Sequence, residues 1–292
     1  MSYIHHCSDN RYTFSENLQG LFYELVKRPF DKHPPTPAWV IEVKNRLPIY
    51  HRKVILERGR TDFNEPFHGL SPEDKVSIYC VHYMPMHLVS SYHIFRIHTQ
   101  LFVNYLTSES DKVVFIDLGC GPLTSGIAFW TFTSQSNIIY LGIDSSQAML
   151  DKAKIVNQYG PNRYRDAFFS TFEAIRHYSQ LIELLDKYIG TDDRTPIIFN
   201  FCYFLSSWTL DINDLSDLII QIAEKYSKHN ICIVYQNPDL PALHENWEIL
   251  KANLSGFKSQ IIESNVQWFC YDSLITGSPH ETLVYNDILC NG

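Results

Sequence analysis

The chain has 292 residues, 45% of them hydrophobic and 14% aromatic, with a formal charge of −8. That length holds one large core or two modest domains, and the acidic balance argues against a nucleic-acid partner, which calls for a basic face. No apolar run reaches membrane-spanning length, the first residues lack the charged-then-apolar plan of a signal peptide, and the seven cysteines are scattered with no C-x-x-C. These features predict a reduced, soluble, cytoplasmic protein with no membrane partner and no metal site.

In chain order, His5-His6-Cys7 reads as part of a mobile terminus, and Arg11–Lys27 has helical periodicity. Asp31-Lys-His-Pro-Pro-Thr-Pro37 cannot be helical inside, because proline removes backbone donors and clashes with the preceding turn. Val40–Arg58 and Pro72–Tyr83 are again helical in period. Ser71-Pro72-Glu73-Asp74 is a start signal: a hydroxyl cap, proline at the first helical position, and acids in the first turn. Pro85 is expected to end that helix and Met86–Leu106 to form a longer one. Lys44, Arg46, Arg52, Lys53, Arg58 and Arg60 are the one candidate basic stripe, with a solvated helix face as the plainer explanation.

The chain is expected to divide near Ser108–Asp111, into an α-helical region 1–108 and a second domain 109–292. Beyond that point apolar strands alternate with helices, the pattern of a parallel sheet with crossover helices. Strands are expected at Val113–Asp117, Ile138–Asp144, Pro196–Tyr203 and Ile231–Gln236, with a weaker one within Arg165–Ser170. Helices fit Ser125–Thr133, Ser146–Gln158, Phe172–Lys187, Leu215–Lys228 and Leu243–Leu254. Phe257–Tyr271 and Glu281–Ile288 are β-rich and read as a closing hairpin.

The strongest signal is Val113 to Gly126, VVFIDLGCGPLTSG. An apolar strand ends in Asp117, a tight Gly119-Cys120-Gly121-Pro122 turn follows, and Thr124-Ser125 opens a helix. This is how a strand hands a nucleotide-type ligand to a helix N-terminus: glycines let the backbone approach, and free N–H groups face the ligand. About twenty residues on, a second strand ends in Asp144, where a carboxylate can accept hydrogen bonds from both hydroxyls of a ribose. Nicotinamide sites want G-x-G-x-x-G, whereas here Leu123 and Thr124 precede the next glycine, Gly126.

D-L-G-C-G-P followed by G-I-D-S-S-Q-A-M-L-D-K-A, spanning roughly Lys112 to Lys154, resembles the class I S-adenosylmethionine (SAM)-dependent methyltransferases. The resemblance implies an α/β fold: a doubly wound, mostly parallel seven-stranded sheet whose last strand is inserted antiparallel, preceded here by an N-terminal α-helical extension over cofactor or substrate. It implies SAM as cofactor, with Gly119, Cys120, Gly121 and Pro122 forming the loop under its methionine part. Asp117 would orient the amino group or cap the following helix, and Asp144 would bind the ribose. Ser145 would lie along the adenine edge, and Met149 beneath the ring or in the core with Leu150 and Ala153. Leu123 departs from the family, standing where most members have a third glycine.

In this fold the end of the fourth strand faces the transferred methyl group. Asn200 and Tyr203 stand there, without the two prolines that amine methyltransferases of nucleic-acid bases often carry. Asn200 is a candidate cofactor and catalytic residue and Tyr203 a candidate electron-rich ring near the sulfonium; a buried strand with a polar end is the alternative. Between Tyr79 and Phe95 the chain is dense in aromatics and histidines. From it come His87 as a candidate base and Tyr83 and Tyr92 as candidate substrate contacts, against the alternative of core or lid packing. Zinc at His82 and His87 is disfavoured for want of a cysteine pair or carboxylate. Tyr83-Met84-Pro85 is also similar to helical domains preceding the core in ribosomal-RNA methyltransferase-like proteins, but their cysteine ligands are missing.

The expected function is methyl transfer to a small or medium organic molecule. Alternatives are use of the aminocarboxypropyl chain with release of methylthioadenosine, rRNA or tRNA methylation (disfavoured by charge), and a non-catalytic SAM-binding module. The sequence carries no signal for an oligomeric state.

Overall fold

The computed structural model describes residues 3–106, 112–133, 137–160, 167–191, 194–206, 210–261 and 264–291. The expected boundary at Ser108–Asp111 lies outside them. Among the described residues ten strands form one sheet. They are β1 (Ile4–Ser8), β2 (Arg11–Phe14), β3 (Val113–Leu118), β4 (Ile138–Ile143), β5 (Thr171–Ile175), β6 (Ile197–Cys202), β7 (Ile231–Pro238), β8 (Phe257–Ser259), β9 (Val266–Asp272) and β10 (Pro279–Asn291). The order across the sheet is β1-β2-β9-β10-β7-β6-β3-β4-β5, with β8 pairing to β10. β3 to β7 run parallel, and β10 is inserted antiparallel between β7 and β9.

Alternation along the strands sends neighbouring side chains to opposite faces. Val113 and Phe115 join one core with α1 (Glu16–Phe22) and with the helices over that face; Val114 and Ile116 join a second core on the other. The chain continues from α1 through a π turn at Tyr23–Lys27 to short segments α2 (Arg28–Asp31), α3 (Pro37–Trp39) and α4 (Pro48–Tyr50). Then come α5 (Pro72–Ile97), α6 (Thr99–Leu106), α7 (Thr124–Thr133), α8 (Gln147–Tyr159), α9 (Leu181–Tyr188), α10 (Ile212–Lys225) and α11 (Glu245–Asn253). α1, α5, α7 and α8 cover the first face, and α9, α10 and α11 the second, so the sheet is doubly wound. Trp39, Val43, Ile55, Leu56, Leu70 and Ile78 make a smaller third core. No described helix is long and apolar enough to cross a membrane.

Several expectations are corrected. The sheet contains the expected seven strands and three more: β1 and β2 from the chain's start, and the short β8. His5-His6-Cys7 lies in β1, and Arg11–Phe14 is a strand, with helix beginning only at Glu16. Alternation in Arg11-Tyr12-Thr13-Phe14, with Tyr12 and Phe14 buried, outweighs the helical period of the longer window. The β5 strand is Thr171–Ile175, where a helix was expected to begin, and the helix after it is confined to Leu181–Tyr188. Part of the expected strand Arg165–Ser170 lies outside the described residues.

Pro85 does not end its helix. α5 runs through it for 26 residues and stops at Ile97, where a break precedes α6. A proline inside a helix removes one backbone bond and costs about 3 kcal/mol. Extensive burial along α5, from Val76 through Phe95, offsets it. The expected start signal is present in full: Ser71 Oγ accepts from the Asp74 N–H at 3.2 Å, and Asp74 Oδ2 accepts from the Ser71 N–H at 2.9 Å.

Buried Tyr12 of β2 ties the added strands to α5. Arg96 donates to the Tyr12 hydroxyl at 2.7 Å, and that hydroxyl is hydrogen-bonded to His93 Nδ1 at 2.6 Å. Tyr12→Phe leaves both partners short of a bond, and urea unfolding should show a loss of about 1–3 kcal/mol. An unchanged midpoint would mean the hydroxyl does not anchor the hairpin.

Candidate active site

The site begins with one tyrosine. Tyr140 in β4 lies opposite Phe115, and its ring is slotted between two glycines. A Cβ on Gly142 would stand 2.9 Å from the Tyr140 ring, and one on Gly126 would stand 2.6 Å from it. Gly126 thus makes room for Tyr140 and is not a ligand-loop glycine. The slot lets the Tyr140 hydroxyl donate to Asp117 Oδ2 at 2.7 Å. Register sets Asn200 of β6 directly across from Asp117, and Asn200 Nδ2 donates to Asp117 Oδ1 at 2.8 Å.

Asp117 and Asn200 are fully buried. Burial pushes the Asp117 carboxyl up to about 7, against the two hydrogen bonds, which pull it down. Asn200 Oδ1 is buried without a hydrogen-bond partner. Such an orphan acceptor costs about 1–3 kcal/mol and points to a donor supplied from elsewhere.

Asp144, just after β4, holds the turn that follows β3. Its Oδ2 accepts from the Gly121 N–H at 3.0 Å and its Oδ1 from the Ser146 N–H at 2.9 Å. Burial raises its carboxyl to about 6 despite these two bonds. Within the turn Leu123 has φ 73°, the left-handed region that a glycine adopts freely. The third-glycine backbone is therefore kept by a leucine whose side chain is fully buried. Beside Gly121 there is open space, an added Cβ meeting only the Gly119 carbonyl at 4.0 Å. Beside Gly119 there is none: a Cβ there would fall 2.6 Å from the Phe204 ring.

Helix α5 crosses the ends of β6 and β7 and is pinned there by polar side chains. Ser90 Oγ donates to Gln236 Oε1 at 3.1 Å, while Gln236 Nε2 donates to Ser91 Oγ at 2.5 Å and Cys202 Sγ at 2.8 Å. On the same helix the His87 ring stacks on Tyr203, centroids 4.0 Å apart and 11° from parallel. His87 Nδ1 pairs with the Tyr79 hydroxyl at 2.9 Å, and full burial pushes the imidazole down to about 3, so it is neutral. The Tyr203 hydroxyl donates to Met86 Sδ at 3.3 Å. Met86 lines a cavity of ≈ 220 Å³ between α5 and the β9–β10 turn.

The structure thus brings Asp117, Asn200, Gly119, Gly121 and Asp144 to one end of the sheet, with Tyr203 and His87 stacked above β6. Tyr83 packs beside His87 (5.7 Å) and lines the cavity. Cys120, Pro122 and Met149 are buried, the Cys120 sulfur lying against Gly142. Ser145 is exposed and its carbonyl accepts from Arg176. Tyr92 sits edge-on to Tyr12 at 5.9 Å, toward the added strands. His82 is bonded to His51. Sequence reasoning missed Tyr140, Phe204 and Gln236. An aromatic two residues before a strand glycine was the available sign of the first.

The order β5-β4-β3-β6-β7-β10-β9, with β10 antiparallel, is that of the class I SAM-dependent methyltransferase fold. No protein-family model matches the chain, and no curated protein matches it in sequence. Among solved structures it is similar to magnesium protoporphyrin IX methyltransferase of Synechocystis PCC 6803 with bound SAM, at 10% identity and TM-score 0.37, over 89% of this chain and 100% of that one. It is also similar to a Listeria monocytogenes protein assigned to the class I SAM-dependent methyltransferases, at 8% identity and TM-score 0.42, over 95% and 89%. A third is precorrin-6y C5,15-methyltransferase of Geobacter metallireducens, at 13% identity and TM-score 0.39, over 66% and 86%. The fold assignment rests on the strand order.

The turn at Leu123 makes an ordering testable. Truncation to alanine loses buried surface and keeps the left-handed strain of about 1–2 kcal/mol, whereas glycine loses slightly more surface and relieves the strain. Leu123→Gly should therefore be more stable than Leu123→Ala by about 1 kcal/mol in denaturant unfolding, although both fall below the parent. Alanine proving the more stable would contradict the left-handed turn.

Proposed function

We propose that the chain is a SAM-dependent methyltransferase acting on a small or medium organic molecule. The observation that carries this is the Asp117–Asn200 pair, a buried carboxyl beside an amide oxygen with no donor, at the end of a sheet of methyltransferase type. The ammonium of SAM is a cationic donor that fits both deficits. Asp144 has carboxylate lone pairs left for the ribose hydroxyls after its two backbone bonds. A Cβ on Gly121 would meet only the Gly119 carbonyl, at 4.0 Å, which leaves that backbone less crowded than Gly119, where Phe204 stands.

Bound there, SAM would supply an electrophilic methyl group on a sulfonium, leaving the protein alignment and exclusion of water. α5 excludes water through its pinned contacts with β6 and β7. Tyr203 offers an electron-rich face held by the His87 stack. His87, kept neutral, works by positioning that ring and the Tyr79 hydroxyl. Under this reading residues 1–108 cover the site and 109–292 form the transferase, with β1 and β2 lent to its sheet. A small-molecule acceptor, not nucleic acid, accords with the charge of −8.

The carboxyls give the binding a pH signature. A ligand ammonium and ribose need ionised acceptors, and Asp117 and Asp144 ionise only above about 7 and about 6. Their folded values are raised, so their own contribution to stability is largest at acid pH and falls as pH rises from the ordinary aspartate range to about 6 to 7. SAM affinity runs the other way. Calorimetry should show binding weakened about tenfold or more between pH 7.5 and 5.5, and weakened at both by Asp144→Ala. A pH-independent affinity, or an Asp144→Ala variant that binds as the parent does, would displace the cofactor from this site.

Turnover is tested by incubating the protein with SAM and a metabolite extract and following both by mass spectrometry. S-adenosylhomocysteine with an acceptor heavier by one methylene is the expected result. Methylthioadenosine above a no-enzyme blank would move the reaction to the aminocarboxypropyl carbon, and neither product would leave a binding module.

A further inference from the structure

The cavity beyond Tyr203 has a polarity of its own. It opens between α5 and the β9–β10 turn, and its walls include Val81, Pro85 and Met86 together with Tyr83 and Tyr271. Arg52 is its lysine-or-arginine member, and none of its lining residues is acidic. Arg52 is half-buried and has no ion-pair partner among the described residues. The carboxylate nearest in sequence to Tyr271, Asp272, is taken by Arg11 at 2.9 Å.

Arg52 is also held in place. The preceding residue, His51, donates from Nε2 to the Val43 carbonyl at 3.1 Å. That leaves its Nδ1 to accept from His82 Nε2 at 3.0 Å, across to α5. Burial pushes His82 down to about 4, so that imidazole is neutral; His280 also lines the wall, from β10, and Arg52 is the guanidinium there. A guanidinium seeks planar, bidentate oxyanions, and one that is partly desolvated and unpaired is incomplete without them. Tyrosine rings and the flat face of Pro85 favour a planar body over a branched one. Tyr203 connects this cavity to the Asp117–Asn200 pair: it follows β6 and its hydroxyl touches Met86 on the wall.

We infer that this cavity is the acceptor pocket and that Arg52 binds an oxyanion on a small planar acceptor, a carboxylate or a phosphate. The assignment of the pocket to an acceptor rests on the transferase reading above; the anion site does not. Neither group need be the atom that is methylated, since Arg52 acts here by holding the molecule in place.

The test titrates the full chain with benzoate, phenyl phosphate and the neutral benzamide at fixed ionic strength. At least one acid should bind about tenfold or more tightly than benzamide. Arg52→Gln should erase that preference and Arg52→Lys should restore part of it, with unfolding midpoints near the parent's. Whichever acid wins identifies the oxyanion. No preference for an acid, or a preference that survives Arg52→Gln, would overturn the inference. SAM is titrated into the same proteins as a separate arm. Anion selectivity without SAM binding would discard the transferase reading and leave the anion site standing, while SAM binding without anion selectivity would do the reverse.

Discussion

The arrangement of this molecule turns on a carboxyl buried at the end of its central strand. Asp117 has no solvent, so its charge must be met by the protein or by a ligand. Two donors reach it, from Tyr140 on one neighbouring strand and Asn200 on the other. Both are neutral and its carboxyl stays well above the ordinary range. Gly142 and Gly126 exist as gaps for the Tyr140 ring, and the register of β3 with β4 and β6 delivers both donors. Asn200 turns its amide nitrogen to Asp117, which leaves Oδ1 unpaired. The sheet therefore ends in a polar pair whose amide oxygen has no donor.

The residues ahead of β3 pack against that end of the sheet. α5 is joined to the sheet by buried polar contacts from Ser90 and Ser91 to Gln236 and Cys202, and by the Arg96–Tyr12–His93 chain at its far end. Lys75 near its start donates to the carbonyls of Asp62 and Glu65, and the Phe63 carbonyl in that loop accepts from Ser146 beside Asp144. The helix is thus tied to its surroundings at its start, middle and end, as the alignment and exclusion of water proposed above require.

Much of the end of the sheet around the glycine turn was legible in the sequence because each signal there is local. The apolar run of β3, the glycine turn and the second acidic-ended strand need only neighbours in the chain to be read, and they lie where expected. Even Leu123, which breaks the motif, keeps the motif's backbone. Contacts distant in sequence were not legible. Tyr140 reads as one more apolar strand residue until Asp117, 23 positions away, is set beside it. Arg52 reads as a surface charge until β9 and β10 bring Tyr271 and Ser273 against it. Pro85 and the first fourteen residues misled for a related reason: long-range burial overrode a local breaker in one case and a helical period in the other.

Asp117 itself reports whether a cation joins this site. Its carboxyl carbon can be followed by NMR in protein labelled at aspartate, with Asp117→Asn giving the assignment, and titrated with and without saturating SAM. The structure predicts a midpoint near 7 for the free protein, from burial. Saturation should lower that midpoint by about one unit or more, because a cation then stands beside the carboxylate. A midpoint in the ordinary aspartate range before SAM is added, or one that SAM leaves unmoved, would contradict the claim that this buried carboxyl awaits a cationic ligand.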